Sequence, residues 1–407
     1  MRRKRTQSNI HIQQWLQDRY PQRNCLWKAC GLRSVVKTMN RNTPNAQIFE
    51  RPRKQGSPAR RAALDLCVIL SLIAAVPFAR TQSNPRLQAF FEQNVGLSQE
   101  QIDQIRHGIP VVKAFPPRTS AEVFLFGAVY IHAAPEDYLR LVSDLNRFRR
   151  VPGYLDLGVF GNPPKLSDLD SLSLDSDDVR ELRKCQPGSC GIQLPCSSME
   201  ELQRSVDWSA PDIDQRVDQF LQHKALGLLL AYQKEGNHAL GIYEDKSEPA
   251  PVAQEFAYML SYSKALPAQL PDFYSYLLTY PHAKAANIDD RFYWTKVKFG
   301  LKPTLRMIHQ VTMRGHPADD VAYAVAEKQL YSSHYFDTAL SLSFCVRDRA
   351  TSGHPGFYLI MAMGTEQLSM AGLKGEVIHR VVVGRSASNL QAALTNIRNL
   401  LEANSKP

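Results

Sequence analysis

The chain of 407 residues lacks the short motifs that identify a reaction with high specificity. It has no GxSxG nucleophile elbow, no GxGxxG dinucleotide loop, no P-loop and no CxxC pair. These absences remove the strongest sequence signs of an α/β-hydrolase, of a nucleotide-binding enzyme and of a zinc module. Only one long apolar run is present, which excludes a multi-span membrane protein. The sequence therefore identifies no reaction by motif.

Acidic residues are scarce in the first 80 positions, which hold only Asp18, Glu50 and Asp65 against 16 Lys and Arg. This segment carries a net charge of +13, and the rest of the chain carries −3. The body therefore has no overall positive field to attract phosphate, and we expect no nucleic-acid partner. The run Arg2–Arg5 has a rival interpretation as a localisation patch, but aromatic residues are not interleaved with it.

The first 79 residues have the order of parts found in a secretory leader. Basic residues between Arg51 and Arg61 precede the apolar stretch Leu66–Val76, and Ala79 follows at the expected position of a cleavage site. We expect export to the periplasm or the extracellular space, with cleavage near Ala79. The alternative is an inner-membrane anchor formed by residues 62–79. Translation from Met39 would give a leader of more typical length and leave residues 1–38 untranslated.

Four cysteines follow the leader: Cys185, Cys190, Cys196 and Cys345. In an exported chain an even number favours disulfides, and three pairings are open. The turn-rich segment 185–190 is suited to a small closed loop. The spacings, with no His nearby, do not fit a zinc site, so we expect no metal. Cys345 has a second interpretation as a small buried apolar residue.

Apolar periodicity divides the body into several segments. Residues 80–121 form a helical lead-in, residues 166–302 a helical insertion, and residues 403–407 a tail. Between them lie an opening strand and helix, and then a run of alternating strands that ends in a helix. The predicted strands are 122–132, 154–160, 303–314, 322–331, 336–346, 357–363 and 376–383. The predicted helices are 97–107, 135–148, 199–206, 212–234, 252–262, 270–279 and 388–402.

This order of elements resembles the START-like, or helix-grip, superfamily over residues 122–165 and 303–402. The segment Gly127–Leu139 resembles the opening strand of that family running into its first helix, with Ala134-Pro135 before the helix. Leu373-Lys374-Gly375 also fits the segment before the last strand and helix. The resemblance implies an α+β fold in which a curved antiparallel sheet grips a long C-terminal helix. To this the sequence adds an inserted α-helical subdomain.

Strand alternation selects the candidate site residues. It places His309 on the same face as Met307, and it offers Glu327 or Tyr331 as a partner for His309 across a cavity. Trp294 belongs to an aromatic and basic stretch, residues 292–299. That stretch is interpreted either as subdomain packing, or as a surface that stacks on a ligand or contacts lipid headgroups.

The fold resemblance implies an internal cavity for apolar ligands such as lipids, sterols or polyketides. We therefore expect an exported protein that binds an apolar small molecule or lipid, without a cofactor. One alternative is an envelope lyase, cyclase or hydrolase that uses His309 as an acid/base group with Glu327 or a tyrosine. Another is a structural or interaction protein. The oligomeric state is left open.

Overall fold

A computed structural model describes residues 84–151, 153–283, 287–299, 302–349, 356–367 and 373–404 of the chain. The predicted leader, its cleavage site, and Cys25, Cys30 and Cys67 lie outside these residues. None of the helices in the described ranges is both long and apolar enough to cross a membrane.

The centre of the fold is an antiparallel sheet of 8 strands, in the order β1-β2-β10-β9-β8-β7-β6-β3. Its strands are β1 (Val111–Phe115), β2 (Glu122–Ile131), β3 (Tyr154–Val159), β6 (Ile288–Phe299), β7 (Lys302–Arg314), β8 (Val321–Ser332), β9 (Thr338–Arg347) and β10 (Phe357–Glu366). A separate two-stranded ladder pairs β4 (Ile242–Tyr243) with β5 (Ala250–Pro251).

Helices cover both faces of this sheet. They are α1 (Pro85–Ala89), α2 (Gln99–Arg106), α3 (Pro135–Ser143), α4 (Ser176–Leu182), α5 (Cys196–Ser205), α6 (Ile213–Glu235), α7 (Val252–Tyr262), α8 (Ala265–Gln269), α9 (Pro271–Thr279) and α10 (Leu373–Asn404). A π-helical turn, Phe90–Val95, extends α1, and 3-10 turns occupy Leu145–Arg150, Leu166–Leu169 and Gly236–Ala239.

The long helix α10 packs on one face, along β2. His379 Nε2 lies 2.9 Å from the carbonyl oxygen of Glu122, and Glu402 accepts a hydrogen bond from the backbone N–H of His132. Between these ends, a Cβ on Gly127 would lie only 2.8 Å from the side chain of Leu394. Glycine is therefore needed at this position for the close approach of helix and strand.

The opposite face is covered by two groups of helices. α1 and α2 pack on β2 and β10, where Phe91 contacts the rings of Phe126 and Tyr358. The inserted helices α4 to α9 pack on β6 to β9 and form the largest apolar core. Strands β7 to β9 are thus buried on both faces. The predicted fold class is confirmed: an α+β fold with an antiparallel sheet, a long C-terminal helix and inserted helices.

Three segments differ from the sequence prediction. β1 (Val111–Phe115) lies within the predicted helical lead-in, residues 80–121. The insertion, residues 166–302, has no predicted element after the helix 270–279, but β6 lies there and belongs to the sheet. In this short aromatic run, Phe292 and Trp294 alternate with Tyr293 and Thr295. This alternation is typical of a strand, and the prediction missed it.

The predicted strand at residues 376–383 is also wrong, because α10 begins at Leu373. Ile378, Val381, Val382 and Val383 favour a strand locally. Within α10, however, Val382 and Val383 pack against the core beneath the helix. Burial of this helix face outweighs the local preference.

Cys185 and Cys190 form a disulfide, with their Cα atoms 4.5 Å apart. Cys345 is a free thiol, which corrects its assignment as a disulfide candidate. It lies fully buried on β9 in the core beneath α10, so its second interpretation as a small apolar residue describes its position. Cys196 is buried at the start of α5, where its N–H donates to a carboxylate oxygen of Glu244.

Replacing both Cys185 and Cys190 by serine is expected to lower the free energy of unfolding by about 2 kcal/mol, because the bridge closes a short loop and restricts the unfolded chain. Urea denaturation of the double variant measures this loss. Ser189→Ala, at an exposed position in the same loop, is the control and keeps wild-type stability. Equal unfolding midpoints for all three proteins would contradict the prediction.

Candidate functional site

Three of the predicted site residues lie side by side on the sheet face that the insertion covers. Met307 on β7 pairs with Trp294 on β6 and with Tyr331 on β8. His309 occupies the next row on this face, between Phe292 and Lys328. Cross-strand neighbours point to the same side of a sheet, so these six side chains all face the inserted helices.

Met307 and Tyr331 line a cavity of about 170 Å³ between the sheet and α6. Leu221, Ala225 and Leu228 of α6 close it from the other side. The remaining lining residues are Leu172, Leu194, Pro195, Ser198, Lys224, Ala239, Gly241, Tyr243, Leu305, Arg306 and Leu330. Apolar side chains predominate, so the cavity is suited to an apolar guest.

Trp294 does not belong to this lining. Its side chain is 1% exposed, and its indole Nε1 donates a 2.9 Å hydrogen bond to the carbonyl oxygen of Asp168. The ring also lies against Gly158, where an added Cβ would come within 2.2 Å of Nε1. Phe292 and Tyr293 are buried as well, so these three aromatic side chains form no surface for a membrane.

His309 is 1% exposed, and both of its ring nitrogens are engaged. Nε2 lies 2.7 Å from Oδ1 of Asp290, and Nδ1 lies 3.0 Å from the hydroxyl oxygen of Tyr232. Because a carboxylate only accepts, Nε2 carries the proton and Nδ1 accepts from the Tyr232 hydroxyl. Burial lowers the pKa of His309, and the neighbouring Asp290 opposes this shift. These two hydrogen bonds therefore orient the ring and favour the tautomer that carries its proton on Nε2.

Lys328 extends this chain of hydrogen bonds into the protein. Its Nζ donates to the Tyr232 hydroxyl, at 3.1 Å, and to Oδ1 of Asn237. The Phe256 ring lies 4.1 Å from the same nitrogen. Lys328 is 1% exposed, and burial lowers its pKa well below the ordinary value. Burial therefore favours the uncharged amine of Lys328 over its ammonium form.

Glu327 lies on the opposite face of the sheet, which corrects its pairing with His309. The register places Glu327 opposite Gln310 and Lys328 opposite His309. Glu327 Oε1 accepts hydrogen bonds from the Tyr293 hydroxyl at 3.0 Å and from Gln310 Nε2 at 3.4 Å. The other suggested contact, His309 with Tyr331, is also not formed, because Tyr331 lies in the row of Met307.

The sequence analysis missed Asp290, Tyr232, Asn237 and Lys328. Lys328 carried a detectable signal, since it continues the alternating positions of Ala324 and Ala326 on a buried strand face. A charged residue in such a series marks a buried polar site. Nothing in the sequence assigned partners to it, because Tyr232 and Asn237 come from the insertion.

A second apolar cleft, of about 150 Å³, lies between α1, α8 and strands β9 and β10. None of the predicted site residues lines it. No group of three or more His, Cys, Asp or Glu side chains among the described residues is placed to hold a metal ion. The cavity beside α6 and the hydrogen-bonded chain next to it are therefore the candidate site.

No protein-family model matches this chain, and no curated protein sequence matches it.

Proposed function

We propose that this protein binds an apolar small molecule in the cavity between α6 and the sheet. The observation that carries the proposal is a cavity of about 170 Å³ with mainly apolar lining between two rigid elements. An engineered apolar cavity of about 150 Å³ binds benzene, whereas drug-sized ligands occupy about 300–1,000 Å³. The ligand is thus of benzene size, or is the end of an acyl chain that enters from a lipid.

Resemblance to the START-like superfamily is part of this proposal. Its support is the element order from β2 and α3, through five consecutive antiparallel strands, to the long helix α10. The resemblance implies a cavity formed by a sheet and its C-terminal helix. Here the cavity lies on the other face, beneath the insertion, so the inserted helices supply the binding site.

Export is likewise part of the proposal. The Cys185–Cys190 disulfide supports it, because disulfides persist mainly in oxidising compartments such as the periplasm and the extracellular space.

The geometry favours binding over acid/base catalysis by His309. Both ring nitrogens are hydrogen-bonded to protein groups, and the ring is stacked on Phe292 with centroids 4.4 Å apart. A general base needs a nitrogen within hydrogen-bond reach of its substrate. His309 offers none, so it does not act directly on a ligand in the cavity.

Filling the cavity is expected to abolish binding of benzene, the probe for this site. Benzene at about 10 times its Kd should stabilise the wild-type protein by about 1.4 kcal/mol, measured as a rise in Tm. Ala225→Phe places a ring in the cavity and should remove this rise, whereas Ala231→Phe, on α6 outside the cavity, should keep it. Leu228→Phe is a second filling variant.

A wild-type protein whose Tm does not respond to benzene would refute the proposed function. So would an equal response in folded Ala225→Phe and Leu228→Phe, because the probe would then bind elsewhere.

A further inference from the structure

We propose that the buried amine of Lys328 is a covalent binding site for small apolar aldehydes, which reach it through the cavity beside α6 and form an imine with it. The inference rests on the proposed function, since the same cavity must admit the apolar part of the ligand. It adds a chemical class of ligand and names the atom that captures it.

The first support is the position of Lys328 beside the cavity. Leu330 lines the cavity and is two residues from Lys328 on β8, a distance of about 7 Å along a strand. Leu228 also lines it and precedes Tyr232 by one turn of α6, about 5.4 Å. Ala239 lines it as well and is two residues from Asn237 in the 3-10 turn Gly236–Ala239. The cavity and the amine are thus neighbours along three elements.

The second support is the surroundings of the amine. Lys328 Nζ is hydrogen-bonded to two neutral oxygens, those of Tyr232 and Asn237, and it lies 4.8 Å from the centre of the Tyr232 ring and 4.1 Å from that of Phe256. Desolvation is the cause of its lowered pKa. Desolvation among apolar groups favours the free amine, which is the form of lysine that attacks carbonyl carbon. A fully buried position that has only a structural role is more commonly occupied by an apolar residue than by lysine.

The third support is a route by which the protons moved in imine formation can be exchanged with solvent. The reaction itself starts when the lone pair of Nζ forms a bond to the carbonyl carbon, while the π electrons of the C=O bond move to oxygen. That oxygen takes up a proton, the nitrogen loses one, and loss of water then leaves the C=N bond. The net change is amine plus aldehyde to imine plus water, with no oxidant or reductant.

Protons can be exchanged between the Lys328 amine and solvent through Tyr232, His309 and Asp290. The Tyr232 hydroxyl contacts both Lys328 Nζ and His309 Nδ1, and His309 Nε2 contacts Asp290. The Asp290 side chain is 27% exposed. A proton can therefore pass between solvent and the buried amine without opening the core.

The test uses benzaldehyde and its unreactive analogue toluene. The full-length protein is incubated with benzaldehyde and cyanoborohydride near pH 7, and the stable benzylamine is located by peptide mass spectrometry. We expect labelling of Lys328 at least about 10-fold faster than labelling of Lys224, a partly exposed lysine that lines the same cavity and forms an ion pair with Glu201. Lys328→Met should lose this adduct, and Lys224→Met should retain it.

The outcomes separate the two proposals. A rise in Tm with toluene, combined with no adduct at Lys328 of the wild-type protein, would overturn the covalent site and leave apolar binding intact. No response to toluene and no adduct would refute both. An adduct at Lys328 that persists in Ala225→Phe would also overturn the inference, because the aldehyde would then not arrive through the cavity. Because the wild-type protein is mapped directly, the test does not depend on the folding of Lys328→Met.

Discussion

Glu366→Gln is expected to stabilise the protein by about 1–3 kcal/mol at pH 8 and to have little effect on stability below pH 4.5. Glu366 is 8% exposed at the end of β10, and its Oε2 has no hydrogen-bond partner in the described part of the chain. Burial, followed by the charge of Glu255, raises its pKa from 4.5 to about 7. Glutamine resembles the protonated form without the charge.

The direction of this pH dependence follows from the pKa of Glu366 in the folded chain and in the unfolded chain. Below about pH 4.5 the carboxyl is protonated in the folded and unfolded chains alike, so the substitution gains nothing. As the pH rises from about 4.5 to 7, the carboxyl ionises in the unfolded chain but stays protonated in the folded chain, so the wild-type protein loses stability over this interval. Above about pH 7 both chains are ionised and the loss is complete, whereas the glutamine variant does not undergo it.

The neighbours of Glu366 make this loss unusually large. β10 places Glu366 opposite Glu122 on β2 and opposite Thr338 on β9. Glu255 of α7 accepts a hydrogen bond from the Thr338 hydroxyl, and its own pKa is raised to about 7, mainly by burial. Arg118 is already bonded to Glu122. Because the charge of Glu255 raises the pKa of Glu366, Glu255→Gln and Glu366→Gln should be less than additive.

Urea denaturation at pH 5 and pH 8 measures the effect. Glu248→Gln, at an exposed position, is the control and should change stability equally little at both pH values. If Glu366→Gln shifted the unfolding midpoint by the same amount at both, its carboxyl would not titrate in this interval and the prediction would be wrong.

Trp294→Ala is expected to lower the free energy of unfolding by about 3–5 kcal/mol, the range for truncation of a large buried aromatic side chain. The ring is among the largest fully buried side chains, and its removal would also leave the carbonyl oxygen of Asp168 without its indole donor. Trp294→Phe keeps most of the buried area and should lose less. Both are measured by urea denaturation at one pH.

A measurement of benzene binding distinguishes a packing role of Trp294 from a contact of Trp294 with the ligand. Since Trp294 does not line the cavity, the Kd for benzene in Trp294→Phe should equal that of the wild-type protein. A variant with wild-type stability that no longer binds benzene would show that Trp294 contacts the ligand. Gly158→Ala tests the same packing from the other side, because its Cβ would collide with the indole ring.

Much of the fold could be predicted from periodicity. The alternation along β7 to β9 and the apolar face of α6 correspond closely to the observed elements. The interior position of His309 followed from the same alternation. The exceptions are β1, which lies in the predicted helical lead-in, β6, where the aromatic run was too short to show its period, and the start of α10, where β-branched residues concealed a helix that tertiary packing stabilises.

The site could be predicted only in part, since its contacts depend on register. The alternation of side chains between the two faces of one strand does not show whether Glu327 or Lys328 lies opposite His309. A bulge between Met307 and Ile308 shifts the alignment with β8. The partners Tyr232 and Asn237 arrive from helices that are distant in sequence. A single sequence contains the residues of this site but not their distances.

The pairing of β2 with β10 also determines when the protein can fold. β2 is completed at Ile131, but the strand beside it begins only at Phe357, with the inserted helices and five other strands of the sheet made in between. During synthesis, the edge of β2 that pairs with β10 therefore has no partner strand until the chain is nearly complete. β2 is a buried and largely apolar strand. Such non-local closure makes folding slow and leaves incomplete chains prone to aggregation. Fragments that stop before Phe357 should therefore need a chaperone.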